Sequence, residues 1–205
     1  MLFLHSLQGT NMSNRVEPLR DREKIRLIKD NLLQSEKWRD YVLFVCGINF
    51  GLRIGDLLRL RIGDLLSYNQ KLRSSFEIVE QKTGKRNIIP INDQAASALK
   101  LLLEKTDIDQ DPGNYLIYNT RRKYHRISRV QAYNLVKRFC TEAGIYNVTI
   151  GTHSLRKTWG YLAHQAGVSI EVIQAKYMHS STATTRHYLG IERRDVHEAY
   201  RLITS

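Results

Sequence analysis

Helical periodicity runs through most of this chain, and it restricts the possible folds more than any other feature. Apolar residues recur at helical spacing in several segments, whereas two short segments alternate as strands do. The sequence therefore predicts an α+β fold that is predominantly α-helical with a small antiparallel β-sheet. We expect helices at about 21–34, 40–49, 93–105, 128–143, 152–166, 169–177 and 192–202.

The two alternating segments predict a β-hairpin. Residues 75–81 read as one strand, Lys82-Thr83-Gly84-Lys85 as the turn, and residues 86–91 as the returning strand. Such a hairpin can project a lysine into a DNA groove, although an isolated turn of this composition is more often simply solvated. Residues 115–118 predict a further short strand.

The chain is basic and long enough for one domain. Its 205 residues include 32 Lys and Arg against 20 Asp and Glu, which gives a net charge of +12. This balance favours a polyanionic partner such as nucleic acid, but charge alone fits an ordinary basic protein equally well. Residues 1–18 lack a clear period, so we expect a flexible or partner-bound arm there and one domain over residues 19–205.

Cysteine usage and the N-terminal residues indicate a cytoplasmic protein. Cys46 and Cys140 have no spacing suited to zinc, so we expect two reduced thiols. The apolar start at residues 1–4 gives way to His5 and Gln8 too soon for a signal peptide or a membrane span. No membrane association is expected.

One group of residues could form a phosphate-transfer site. An H-x-x-R motif contains His153 and Arg156, His179 follows, and Tyr188 lies nine residues after His179. Two histidines and an arginine can hold a phosphodiester and move protons, and a tyrosine hydroxyl can attack phosphorus. A box of the form G-L-R-x-x-D-L around Arg53 supplies a second cation. Taken singly, each residue is better explained as a core or surface group.

In this order and spacing, the motifs resemble the catalytic domain of the tyrosine recombinase (phage integrase) family over roughly residues 20 to 200. The resemblance implies a covalent 3′-phosphotyrosine intermediate formed without ATP, a metal ion or another cofactor. The sequence agrees, since it has no G-x-x-x-x-G-K-[ST] loop and no H-E-x-x-H motif. The catalytic residues implied are Arg53, Lys82, His153, Arg156, His179 and Tyr188.

The nucleophile and the arginines each have a competitor. Tyr188 is preferred to Tyr177 and Tyr200 because its step from His179 matches the family. The hexapeptide Arg-Ile-Gly-Asp-Leu-Leu occurs at 53–58 and again at 61–66. We choose the first copy, whose arginine follows Gly-Leu and has Asp56 at i+3 to brace it.

The remaining roles concern protons. Lys82 is the expected general acid for the leaving 5′ oxygen, with Lys85 as the alternative because turn registers vary. His153 is expected to accept the tyrosine proton or to orient the phosphate, and His179 to donate a further hydrogen bond. An unperturbed tyrosine has a pKa of about 10, so clustered positive charge is needed to activate the nucleophile.

A basic cluster near the middle of the chain is expected to contact DNA phosphates, as are two basic residues elsewhere. The predicted DNA-binding residues are Arg121, Arg122, Lys123, Arg61 and Lys85.

The resemblance implies a site-specific DNA recombinase or integrase that acts on double-stranded DNA. It implies a homo-tetramer in the DNA synapse, with a monomer possible when free. Family members usually carry a helical domain ahead of the catalytic one. This chain is therefore expected to be a single-domain recombinase, a truncated product, or a subunit helped by an accessory DNA-binding protein. Two alternatives stay open: an inactive DNA-binding or regulatory relic, and a DNA-relaxing enzyme similar to type IB topoisomerases.

Overall fold

The computed structural model describes residues 16–122, 124–146 and 148–191. It confirms a predominantly helical fold with a two-stranded antiparallel sheet. A 3₁₀ turn at Ile108–Gln110 follows the fifth helix. The helices and strands, in chain order, are α1 Arg22–Gln34, α2 Trp38–Phe50, α3 Ile54–Leu57, α4 Ile62–Leu65, β1 Ser75–Val79, β2 Arg86–Pro90, α5 Asp93–Lys105, α6 Arg129–Glu142, α7 Thr152–Gln165, α8 Ile170–Tyr177 and α9 Thr182–Leu189.

Helix α2 is the centre of the core and packs against α1, α5 and α7. Its residues from Val42 to Ile48 are buried on every side, as expected for a helix surrounded by other helices. Gly51 ends it in a left-handed conformation with φ of 60°. Cys46 and Cys140 are free thiols in this core, and burial raises the pKa of Cys140 to about 12.

The β-hairpin forms as predicted and packs one face on the core. Phe76 pairs with Ile89 in register, both are buried, and the Phe76 ring lies 5.1 Å from that of Phe50. Beyond the strands, the turn closes through bonds from the Glu80 amide to the Lys85 carbonyl and from the Gly84 amide to the Glu80 carbonyl. The hairpin therefore holds Lys82 on a short, closed turn.

The structure corrects the prediction of a strand at residues 115–118. Tyr115 forms an isolated bridge with Arg61, and Tyr118 forms another with Arg126. Because the two ends pair with different segments, no ladder develops. Three helices were missed because they are too short for a clear period (α3 and α4) or rich in threonine (α9).

Two other predictions lie partly or wholly outside the described residues: the helix at 192–202 and most of the N-terminal arm. Of the arm, Val16 accepts a bond of 2.7 Å from Lys157 Nζ, and the Glu17 amide donates to the Thr149 carbonyl. None of the described helices is both long and apolar enough to cross a membrane.

Candidate active site

Arg156 lies at the meeting point of three helices. It is 2% exposed on α7, and its two terminal nitrogens donate to the carbonyls of Gly51 (2.8 Å) and Tyr177 (3.2 Å). These carbonyls end α2 and α8, so one guanidinium fixes the relative position of both helix ends. Burial lowers the pKa of Arg156, but a guanidinium stays charged at neutral pH.

Arg53 is braced by Glu80, which corrects the prediction of Asp56. Arg53 Nη1 donates to Glu80 Oε2, and the Glu80 side chain is fully buried. Asp56 points elsewhere, because its Oδ1 accepts from Arg59 (2.7 Å) and from the Gln81 amide (3.0 Å). Glu80 was missed because it immediately follows β1 and reads in sequence as one more strand residue.

Tyr188 lies on α9 beside His179. The two rings are 5.1 Å apart at 74°, and His179 Nδ1 is 3.1 Å from Thr185 Oγ1, one turn before the tyrosine. Lys157 Nζ lies 4.7 Å from the centre of the Tyr188 ring. The segment that follows His179 in sequence thus folds back and brings the tyrosine to the histidine.

Tyr177 is unsuited to be the nucleophile. It is fully buried, its hydroxyl donates to the Arg156 carbonyl, and burial raises its pKa. A Cβ at Gly160 would lie 2.4 Å from this hydroxyl, so only glycine fits there. The other competitor, Tyr200, lies outside the described residues.

Met178 makes the turn between α8 and His179 in a left-handed conformation, with φ of 55°. This conformation costs roughly 1–2 kcal/mol for a residue other than glycine. The Met178 side chain also meets the hairpin, since its sulfur accepts from Thr83 Oγ1 at 3.7 Å. The turn that carries Lys82 is therefore in contact with the turn that presents His179.

Both histidines are surrounded by positive charge. The pKa of His153 is lowered by desolvation first and then by Arg156 and other cations that include Arg53 and Lys82. Desolvation and three of the same cations, Arg156, Arg53 and Lys82, also lower the pKa of His179. Both shifts favour the neutral imidazoles, and a neutral His153 can accept a proton. Lys82 is exposed on its turn, and its charge contributes to the lowered pKa of both histidines.

Lys176 is a basic group of the site that sequence reasoning missed. Its Nζ is buried, has no hydrogen-bond partner within the described part of the chain, and lies 5.9 Å from the Trp159 ring centre. Burial lowers its pKa to about 8; the charge of Arg156 acts in the same direction and that of Glu80 opposes it. The available signal was a lysine in the last turn of an otherwise apolar helix.

The lowered pKa of Lys176 predicts a pH-dependent affinity for DNA. A phosphate bound within reach of the Lys176 amine would favour its charged form, so the pKa of Lys176 would rise on binding and a proton would be taken up. The affinity for DNA should be greatest below pH 8. It should fall as the pH rises through 8, by up to about tenfold per pH unit. We expect Lys176→Met to flatten this dependence between pH 7 and 9, measured by fluorescence anisotropy with the Tyr188→Phe variant. The exposed Lys100→Met should keep it, and equal slopes with and without Lys176 would contradict the prediction.

The predicted DNA-binding residues lie at several places. Arg121 and Arg122 are exposed and line two grooves beside the start of α6, while Lys123 lies outside the described residues. Lys85 is exposed on the hairpin turn. Arg61 is exposed, but it donates to the Gly113 carbonyl and to the Tyr115 hydroxyl (2.8 Å). Its bonds hold a loop of the protein, and its contact with DNA remains a prediction.

No group of three or more His, Cys, Asp or Glu side chains within the described residues is arranged to hold a metal ion.

Comparison with known proteins identifies the family of this chain. The phage integrase family matches residues 19–194. The probable integrase/recombinase YoeC of Bacillus subtilis is 35% identical over 187 residues, which cover 91% of this chain and 96% of that protein. The chain therefore belongs to the phage integrase family, the family of tyrosine-type site-specific recombinases.

Two solved structures share the fold. One is the XerH site-specific recombinase bound to a palindromic difH substrate in a post-cleavage complex, with a TM-score of 0.72 and 19% identity. The other is a lambda integrase tetramer bound to a Holliday junction, with a TM-score of 0.60 and 19% identity. This chain is covered to 100% and 86%, but it accounts for only 56% and 49% of those two chains.

Proposed function

We propose that this protein cleaves and rejoins double-stranded DNA at specific sites through a 3′-phosphotyrosine on Tyr188. The observation that carries the proposal is the convergence on one place of groups from distant parts of the chain. Tyr188 is in ring contact with His179, and both histidines feel the charges of Arg53, Lys82 and Arg156. Membership of the family supports the same reading.

The two arginines are proposed to hold the non-bridging oxygens of the scissile phosphate. Negative charge builds up on these oxygens as the tyrosine attacks, and a guanidinium can meet them with two parallel donors. Arg156 and Arg53 are both held by protein acceptors before DNA arrives. His179, oriented by Thr185, supplies a further donor.

The reaction requires one proton to be removed and one to be supplied. Tyr188 oxygen bonds to phosphorus, the bond from phosphorus to the 5′ oxygen breaks, and the phosphodiester energy is kept in the new ester. We propose that neutral His153 receives the tyrosine proton and that Lys82 donates a proton to the 5′ oxygen. A 5′ hydroxyl from a partner strand reverses these steps and completes the exchange, with no ATP and no metal ion.

The assignment of Lys82 predicts a specific rescue. Lys82→Ala should slow cleavage about 10²- to 10⁴-fold on ordinary DNA, the usual contribution of a general acid. A substrate with sulfur at the bridging 5′ position needs no protonation of its leaving group, so it should restore most of the rate. Single-turnover cleavage of both substrates measures this. Lys85→Ala, on the same turn, is the matched control, and rescue of that variant instead would transfer the role to Lys85.

The proposed partners are double-stranded DNA and further copies of the chain. Two recombinases that share this fold have been solved with DNA, XerH on a difH substrate and lambda integrase as a tetramer on a Holliday junction, and this supports a tetramer in the synapse. We propose that an accessory DNA-binding protein can contribute to the affinity for DNA. A cytoplasmic location is proposed.

Incubation with a nicked suicide DNA substrate tests the function. Release of the short fragment beside the nick prevents religation, so a covalent complex should accumulate and migrate slowly on a denaturing gel. DNA binding without any adduct would indicate a regulatory relic. Adducts and relaxation of supercoils without strand exchange between two sites would indicate a topoisomerase-like enzyme instead.

A further inference from the structure

A buried carboxylate lies among the cations of this site. Glu80 follows β1, and its side chain is fully buried. Both oxygens are occupied: Oε2 accepts from Arg53 and Oε1 accepts from Asn87 Nδ2 at 2.7 Å. Removing one partner of a buried charged pair is costly, so the carboxylate and the Arg53 guanidinium hold each other in place.

The backbone of the same residue closes the turn that carries Lys82. The Glu80 amide donates to the Lys85 carbonyl at 3.0 Å, and the Glu80 carbonyl accepts from the Gly84 amide at 2.8 Å. One residue therefore connects the arginine that precedes α3 with the lysine on the hairpin turn. Its charge also acts on Arg156 and Lys176, which brings it within range of the other cations.

We infer that Glu80 is a positioning residue for DNA cleavage: it fixes the direction of the Arg53 guanidinium and the place of the Lys82 turn before the phosphate binds. The inference deepens the proposed function and rests on it. The Glu80 carboxylate is buried and both of its oxygens are bonded to the protein, so it would act without contacting the DNA. It acts through Arg53 and the turn, since a displacement of about 1 Å at a reacting group can slow catalysis on the order of 10²-fold.

Glu80→Gln removes the charge and nearly preserves the shape. We expect single-turnover cleavage of the suicide substrate to slow by about 10- to 100-fold. Affinity for intact DNA, measured with Tyr188→Phe as background, should stay the same or increase, because a negative charge is lost. The matched control is Glu77→Gln on β1, the strand that Glu80 follows, where an exposed carboxylate pairs with Arg86 at 2.9 Å. That change should leave the rate within about twofold, as is usual for exposed pairs.

A double-mutant cycle separates positioning from general support of the fold. If Glu80 acts through Arg53, Glu80→Gln should cost much less in an Arg53→Lys background than in the wild type. Glu80→Asp keeps the charge with a shorter reach, so it should fold and show an intermediate loss. It also provides the test if Glu80→Gln fails to fold.

The outcomes are distinct from those that test the proposed function. Absence of any adduct with the wild-type protein would count against the function itself. If the wild type and Glu77→Gln cleave and Glu80→Gln cleaves equally well, the inference is overturned. It is also overturned if the fold-losses in cleavage rate caused by the Glu80 and Arg53 substitutions simply multiply in the double mutant. A Glu80→Asp variant in which DNA affinity, melting temperature and cleavage rate all fall together would overturn it as well.

Discussion

Tyr188→Phe is expected to abolish the covalent adduct on suicide DNA. The substitution removes only the attacking oxygen, and loss of the nucleophile in a covalent enzyme costs on the order of 10⁶ in rate. DNA affinity should change little, because the ring and its contacts with His179 and Lys157 remain. Denaturing gels and a parallel binding titration measure the two effects.

Tyr177→Phe provides a contrast, since the Tyr177 hydroxyl donates to the Arg156 carbonyl within the core. We expect this variant to lose stability and still to form an adduct below its melting temperature. An adduct that survives in Tyr188→Phe, or one that disappears only with Tyr177 or Tyr200, would refute the choice of nucleophile.

Arg53→Lys and Arg156→Lys are each expected to slow cleavage by about 10²- to 10³-fold, the usual cost of losing one transition-state donor. Lysine keeps the charge but cannot hold two oxygens in parallel. Arg156→Lys should also lower stability, because Arg156 bridges the Gly51 and Tyr177 carbonyls. Single-turnover rates at saturating protein, together with thermal melts, measure both effects.

Arg61→Lys is the matched control, because Arg61 begins the second copy of the same hexapeptide. Its guanidinium binds the Gly113 carbonyl and the Tyr115 hydroxyl, so the cleavage rate should change little. If the cleavage rate were sensitive to Arg61→Lys and tolerant of Arg53→Lys, the second copy of the hexapeptide would be the one that belongs to the site.

The helices that periodicity predicts well are those with a continuous apolar stripe. In α1, Ile25, Ile28 and Leu32 recur at helical spacing and are buried, so pattern and packing agree. Helix α9 has no such stripe: Thr185 and Leu189 are its buried residues, and the Ser181 side chain caps its start. Its helical state depends on capping and on contact with neighbouring helices, which hydrophobic pattern does not report.

The residues of the candidate site also divide into those that the sequence predicts and those that it does not. The residues proposed to bear the chemistry can be predicted from the sequence, because their order matches a known family. The groups that support them cannot, because their partners are distant in sequence: Glu80 reaches back to Arg53, and Lys176 is buried near Trp159 on another helix. The i+3 spacing favours Asp56 as the brace, but its Oδ1 accepts from the Gln81 amide and from the side chain of Arg59 instead. Local spacing cannot rank such competing partners.

The most direct test of the account is to identify the amino acid that becomes joined to DNA. The wild-type adduct is formed in EDTA without ATP, digested with protease and nuclease, and analysed by tandem mass spectrometry. Attack by Tyr188 predicts a nucleotide joined through its 3′ phosphate to that residue. A linkage to another residue, a 5′ linkage, or an adduct that forms only when a divalent metal is added would contradict it.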